Sequence, residues 1–231
     1  AKLKAIVNIT TDKCYENDER SQGYKENDPM GGHDPYSSSK GCSELVTSAY
    51  RRSFLQEQGV GLASARAGNV IGGGDWADDR LIPDILRSFE KNKPVIIRNP
   101  KATRPWQHVL EPLSGYLVLA QKLYKDQKEY AEGWNFGPNE QDVKPVDWIL
   151  NKMIVSWPNS SWKLDESSNP HEAGFLKLDI SKSKSKLDWN PVWELSHTLE
   201  KIISWHKAWL NKENMQIVCL TEIKIYMKGM K

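Results

Sequence analysis

Tyr36 and Lys40 stand four residues apart in DPYSSSKG. On a helix that spacing brings a phenol and an ammonium to one face, about one turn from each other. A phenol with an ordinary pKa of about 10 is a poor base at neutral pH, but a neighbouring ammonium favours the phenolate, as general-base catalysis needs. The spacing by itself is not decisive, because Tyr124 and Lys128 repeat it. By charge and position that second pair reads as the frayed, solvated end of a helix. Context separates the two. Only Tyr36 follows a strand-like run ending in hydroxyl and carboxylate residues, Ile9-Thr10-Thr11-Asp12-Lys13, and active sites of α/β proteins assemble at the carboxyl ends of parallel strands. There Thr11 would hydrogen-bond a substrate hydroxyl, with Asp12 and Lys13 side by side as an acid/base couple. The competing reading of TTDK is an ordinary turn or helix cap, since Thr and Asp bond readily to nearby backbone.

The elements that must position these groups follow a pattern of strand, helix and strand. Residues 4–9 (KAIVNI) form a first strand, and the polar stretch 10–35 reads as a long functional loop. From Tyr36 to about Gln58 there is no proline, and Leu45, Val46, Ala49 and Phe54 recur at helical spacing before Gly59 stops the run. GLASARAGNV (61–70) then returns as a small-residue strand ending in a glycine-rich turn. Such a βαβ unit implies a parallel sheet with a right-handed crossover. Beyond it the sequence predicts a helix in IPDILRSFEKN with Pro83 near its start, a strand over 94–98, a helix over 109–124 and a strand over 134–137. A helix over 146–157, an edge strand over 175–180 and a helix over 195–210 complete the pattern. The SKSKSK run (181–186) reads as a solvated turn, and Trp189, Trp193 and Trp205 as packing of a small C-terminal domain around its last helix.

Bulk properties narrow the function. With 231 residues, 39% hydrophobic and 27% charged, the chain has material for a sizeable core. Its 32 basic and 30 acidic residues leave a net charge of +2, with no block of one sign to recruit nucleic acid or a membrane surface. Cys14, Cys42 and Cys219 are scattered and have no metal-ligand spacing, which argues against a disulfide framework or a metal site and fits a reducing cytoplasm. No segment approaches the roughly 18 consecutive apolar residues of a membrane span. The opening run Leu3–Ile9 looks like a buried strand with no helix before it, so the sequence is expected to begin inside a domain.

TTDKCY, DPYSSSKG, RAGNVIGGGDW, RLIPDI and RPWQHV together resemble the extended short-chain dehydrogenases/reductases that act on nucleotide sugars, through almost the whole chain. Within that family the nucleotide-sugar 4,6-dehydratases are most similar. Lys13 after Asp12, where dTDP-glucose enzymes are expected to carry Glu, points to CDP-glucose, and NPHEAGFLKLD and LDWNPVW look similar to the same group's C-terminal segments. The resemblance implies the C-terminal part of a Rossmann-type parallel sheet with a smaller α/β substrate domain. The remaining NAD-binding domain would be residues 1–68 and 103–137, and the substrate domain 69–102 and 138–231.

By the same resemblance Tyr36 is the catalytic base, Lys40 holds the nicotinamide ribose, Thr11 completes the triad, Asp12 protonates the departing hydroxyl and Val70 lies beside the cofactor. The sugar would be oxidised at C4, lose water across C5 and C6, and regain the hydride at C6. Lys13 stands where related dehydratases use a carboxylate base, so it is either a desolvated base near another cation or an enolate stabiliser. Asn69, Arg80, Leu81, Val95, Ile97, Arg104 and His171 would meet the substrate, Arg104 at its diphosphate, with Glu172 beside His171. A homodimer through the helix bearing Tyr36 is also implied. The sequence contains no G-x-G-x-x-G turn, and Asp75, Asp78 and Asp79 after Gly72–Gly74 would repel a phosphate. NAD binding and activity are therefore expected only of a longer protein. Another nucleotide-sugar epimerase or dTDP-sugar dehydratase, or a non-catalytic nucleotide-binding relic, are the competing readings.

Overall fold

The strand GLASARA is buried along its whole length, and its small side chains admit a neighbour on either edge. The computed structural model describes residues 3–167 and 175–230. In chain order the elements are β1 (Ala5–Ile9), α1 (Pro35–Tyr50), β2 (Gly61–Ala67), β3 (Val70–Ile71), α2 (Leu81–Glu90), β4 (Val95–Ile97), β5 (Thr103–Pro105) and β6 (Gln107–His108). Then come α3 (Leu110–Lys125), β7 (Gly133–Phe136), β8 (Val143–Pro145), α4 (Val146–Val155), β9 (Trp162–Leu164), α5 (Ser181–Leu187), α6 (Leu195–Leu210) and α7 (Met215–Gly229).

The chain divides into two compact units. The first comprises Ala1–Asn69, Glu111–Gly137 and Phe175–Pro191. Its sheet has the order β1-β2-β7 and is parallel throughout, with Ile6 opposite Leu62 and Ala65 opposite Trp134. Leu119, Leu123, Trp134, Phe136, Leu187 and Trp189 fill its core. The second comprises Val70–Leu110, Pro138–Gly174 and Val192–Lys231. Three short pairings, parallel β3-β6 and β4-β9 and antiparallel β5-β8, frame a core of α2, α4 and α6 side chains such as Ile85, Phe89, Ile149, Met153 and Ile202.

Several expectations need correction. Residues 103–110 and 175–191 lie in the opposite unit from the one expected. For the latter segment the reason is its apolar side chains, since Leu176, Leu178, Ile180, Leu187 and Trp189 all belong to the first unit's core. Residues 175–180 form no strand; Leu178 makes an isolated bridge to Tyr24, and Phe175 is a bridge residue as well. SKSKSK is not a solvated turn but the helix α5. Its Ser183 is fully buried and donates to the Asn135 carbonyl at 2.5 Å, while Lys182 pairs with Glu132 at 2.8 Å over the Trp134 ring. The three tryptophans do not share one domain. Trp189 stacks edge-on against Phe136 in the first unit, whereas Trp193 and Trp205 pack in the second against His108 and Trp76. α7 and the pair β5-β8 were not anticipated at all.

Candidate active site

The helix α1 begins where DPYSSSK says it should. Asp34 is the N-cap and accepts from the backbone N–H groups of Tyr36 at 2.9 Å and Ser37 at 3.0 Å, and Pro35 takes the first helical position. The Ser37 hydroxyl and N–H, followed by the Tyr36 N–H and the charge of Lys13, hold the Asp34 carboxyl below the usual carboxylate range. The base candidate is thus fixed by its own backbone. Its phenol is 51% exposed, and the Lys40 ammonium lies 5.4 Å from the ring centroid, so the pair shares one face as the spacing predicts.

The strand tip that carries TTDK turns into a short 3₁₀ segment, Asp12–Cys14, which packs against α1. Thr11 caps it, and its hydroxyl donates to Asp12 Oδ1 at 2.9 Å. Asp12 is buried and Lys13 exposed. The turn reading of TTDK is what the structure shows: the cap forms, with the Thr11 hydroxyl and the Asp12 carboxylate hydrogen-bonded to each other beside the helix that bears Tyr36. The Cys14 carbonyl accepts from Gly31 N at 3.0 Å, and Gly41 of α1 sits over the same spot, where a Cβ would lie 3.1 Å from the Gly31 oxygen. Burial pushes the Cys14 thiol up to about 12, which makes it inert.

Beneath this face lies a buried polar network that the sequence reading missed. Arg66 in β2 donates to Glu44 of α1 at 2.8 Å and to the Tyr15 hydroxyl at 2.7 Å, with both charged side chains 4% exposed. Tyr15 in turn donates to Asn135 of β7 at 2.7 Å. Glu44 also accepts from Ser64 at 2.6 Å and from Thr10, the residue before Thr11, at 2.5 Å. Burial alone would raise the Glu44 carboxyl, but Arg66, Ser64 and Thr10 outweigh it and hold it below its ordinary value. Burial raises the Tyr15 phenol in spite of Arg66. Gly133 is required here, because a Cβ would sit 2.4 Å from Arg66 Nη2. A lone arginine inside a strand of small residues was the available signal, since a buried guanidinium demands a carboxylate.

The substrate candidates fall elsewhere. Asn69 ends the first unit's first segment, half-buried, and Val70 opens β3 with its side chain exposed. Arg80 is the exposed residue preceding α2, and Leu81 is half-buried against the second unit's core. Arg104 lies in β5, half-buried, with Nη1 donating to the Thr103 carbonyl at 3.0 Å. Val95 and Ile97, expected to flank the nucleotide with backbone groups reading the base, lie in β4. Both side chains point into the core, while Ile96 between them is 58% exposed, as strand alternation demands. Their backbone is engaged too, Val95 N donating to Ser161 O at 2.9 Å and Ile97 O accepting from Asp165 N at 2.8 Å. His171 and Glu172 lie outside the described residues. The glycine turn after β3 is a close approach to α6 in the second unit, since a Cβ on Gly73 would meet Trp205 at 2.2 Å. Among the described residues no cluster of three His, Cys, Asp or Glu is placed to hold a metal ion, and no helix is long and apolar enough to cross a membrane.

Comparison with known proteins agrees with this geometry. The family model described as "NAD dependent epimerase/dehydratase family" matches residues 1–135. The chain is 60% identical over 233 residues to a CDP-glucose 4,6-dehydratase of Salmonella typhimurium, covering 98% of this chain and 65% of that protein. It is 25% identical over 211 residues to a dTDP-glucose 4,6-dehydratase of Haemophilus influenzae, covering 86% of this chain and 59% of the relative. It thus spans less than two thirds of the length of either relative. Two solved structures share the fold. One is a Bacillus anthracis dTDP-glucose 4,6-dehydratase in complex with NAD, with TM-score 0.72 and 20% identity over 87% of this chain and 61% of that one. The other is a Bacillus cereus UDP-glucuronic acid 4-epimerase in complex with UDP-glucuronic acid and NAD, with TM-score 0.73 and 22% identity over 90% and 63%.

Proposed function

Because the chain belongs to the NAD dependent epimerase/dehydratase family, we propose that the full-length protein dehydrates CDP-glucose to CDP-4-keto-6-deoxyglucose, releasing one water per sugar. The observation that carries the proposal is the 60% identity to a CDP-glucose 4,6-dehydratase, spanning 98% of this chain, in a chain whose phenol–ammonium pair lies on a helix packed against the Thr–Asp turn. NAD, when bound, supplies a hydride acceptor that is regenerated within each turnover. The residues present fit it: Lys40 stands on the exposed face of α1 beside Tyr36, with a hydroxyl, Thr11, at the neighbouring strand tip.

In this reading Tyr36 takes the proton from the sugar C4 hydroxyl and Thr11 holds the oxygen. The resulting C4 carbonyl acidifies the C5 proton, which passes to solvent water while Asp12 delivers a proton to the departing C6 hydroxyl, so that one water is lost across C5 and C6. Lys13 is exposed and its charge reaches a carboxylate, Asp34. That setting favours the enolate-stabilising role over a desolvated base, which would need a second cation. Arg104 and Arg80 serve the diphosphate, and Asn69 and Leu81 the sugar nucleotide, with His171 as a further contact; Val70 belongs beside the cofactor. A second copy docks on the exposed apolar residues of α1, Leu45, Val46 and Tyr50, with Phe54 in the helical turn that follows, giving a cytoplasmic homodimer.

Incubating the full-length protein with CDP-glucose and NAD is expected to give a 4-keto-6-deoxy product that absorbs in alkali. Tyr36→Phe should lower turnover by roughly 100- to 10,000-fold, the contribution of a positioned general base. Turnover of dTDP-glucose alone, or an epimerised sugar that retains its C6 hydroxyl, refutes the assignment. Unchanged turnover in Tyr36→Phe refutes the role of the phenol.

A further inference from the structure

We infer that Glu44 is a positioning residue, the bolt that fixes how far α1 is slid along β1 and hence where Tyr36 and Lys40 stand relative to Thr11 and Asp12. The inference rests on the catalytic roles proposed above. Tyr36, Lys40 and Glu44 succeed one another at four-residue intervals, so the carboxylate lies one turn beyond the ammonium on the same helix. The face of α1 turned inward is nearly devoid of apolar grip: its buried residues are Ser37, Gly41, Glu44 and Thr47. What ties it to the sheet is a row of directed polar contacts. Asn8 of β1 donates to the Thr47 hydroxyl at 2.7 Å, and Thr10 donates to Glu44 at 2.5 Å.

Those two rungs join residues two apart on the strand to residues three apart on the helix, a spacing of about 7 Å against about 4.5 Å, so they determine both slide and tilt. Glu44 is the stronger of them. Its other oxygen accepts from Ser64 at 2.6 Å and Arg66 at 2.8 Å in the neighbouring strand, so one carboxylate is referenced to two strands at once. The next residues along the chain after Thr10 are Thr11 and Asp12, at the tip beyond β1. Slipping α1 would leave Tyr36 and Lys40 at their mutual separation, because both ride on one helix, and would change only their reach to the strand tip.

That asymmetry supplies the test. Glu44→Leu combined with Arg66→Leu removes both buried charges together, which spares stability because neither is left unpaired. In the full-length, NAD-loaded enzyme this variant is expected to remain folded, with a melting temperature lowered by the Ser64 hydroxyl that loses its acceptor, and to keep its KM and the pH at which the acid limb of its kcat profile falls. Its kcat should drop about 100-fold, the loss that accompanies a misplacement of about 1 Å. Glu44→Gln, which keeps an acceptor at the same reach, should restore most of the rate. Crystal structures of the two variants should show α1 displaced along β1 in the first and unmoved in the second. Wild-type kcat in a folded double variant, or a lowered kcat with α1 unmoved, overturns the inference. If the double variant does not fold, Asn8→Val with Thr47→Val removes the other rung and must show the same displacement in smaller measure. Should the wild-type protein not turn over CDP-glucose, the functional reading fails by itself, and the crystallographic displacement still decides this one.

Discussion

Helices α1 and α2 occupy equivalent places in their units, each packed beside a strand, yet they are held by opposite means. α2 buries Ile82, Ile85, Leu86 and Phe89. α1 buries Ser37, Gly41, Glu44 and Thr47 and leaves Leu45, Val46 and Tyr50 exposed. Apolar contact is non-directional and tolerates small slides at little cost, whereas a hydrogen bond weakens steeply with distance and angle. The helix that carries the chemistry is the one with directional attachment. Apolar packing suffices for the helix that fills a core.

The largest effect that would break this contrast comes from Arg66. Arg66→Met leaves Glu44 charged and buried without its cation, and the first unit should lose about 3–5 kcal/mol of stability, measured by urea unfolding. A loss below about 1 kcal/mol would show that the ion pair is dispensable as a pair, in line with surface pairs. Next comes the apolar counterpart. Ile85→Ala in α2 creates a cavity in the second unit and should cost about 2–5 kcal/mol. Turnover per folded molecule should nevertheless stay at the wild-type level, since nothing directional is lost. A fall in kcat for Ile85→Ala would erase the distinction between the two helices.

The same contrast explains what was legible in the sequence. α2, α4 and α6 were readable because their apolar residues recur at helical spacing and face a core. The Tyr36–Lys40 pair and the TTDK tip were readable because their chemistry is local: a cap, a turn and one helical spacing. α1 was found as a helix, but its apolar stripe was the wrong guide to its inner face, as the residues that bury there are polar and find their partners 20 to 40 positions away. No periodicity reports such pairs. The edge strand expected over 175–180 does not form, because Leu176, Leu178 and Ile180 turn their apolar side chains into the first unit's core and the segment makes isolated bridges alone. Val95 and Ile97 turn their side chains inward by strand alternation, a rule the sequence pattern already contained.

The smallest and most selective effect concerns acid. Glu44 in α1 has its carboxyl held below the ordinary value once Arg66, Ser64 and Thr10 have outweighed burial. Asp142 in the second unit is raised, burial prevailing over the Leu195 N–H that it accepts. The signs are opposite. A group whose folded pKa is depressed lends stability that is complete above its unfolded value, about 4.3 for Glu, and is lost as pH falls through the depressed value. A carboxyl whose folded pKa is raised does the reverse, and the fold gains as pH falls through that value. Between pH 6 and 4 the second unit should therefore hold or gain stability from Asp142, while below about pH 4.3 the first unit should begin to lose the Glu44 contribution. Urea midpoints taken down that range, with amide exchange in α1 and α6 as local reporters, resolve the two. The Glu44→Leu/Arg66→Leu variant has no such carboxylate and should lack this portion of the acid limb. If its midpoint falls in parallel with wild type below that pH, the titrating group is another one, and the attachment of α1 does not owe its acid sensitivity to Glu44.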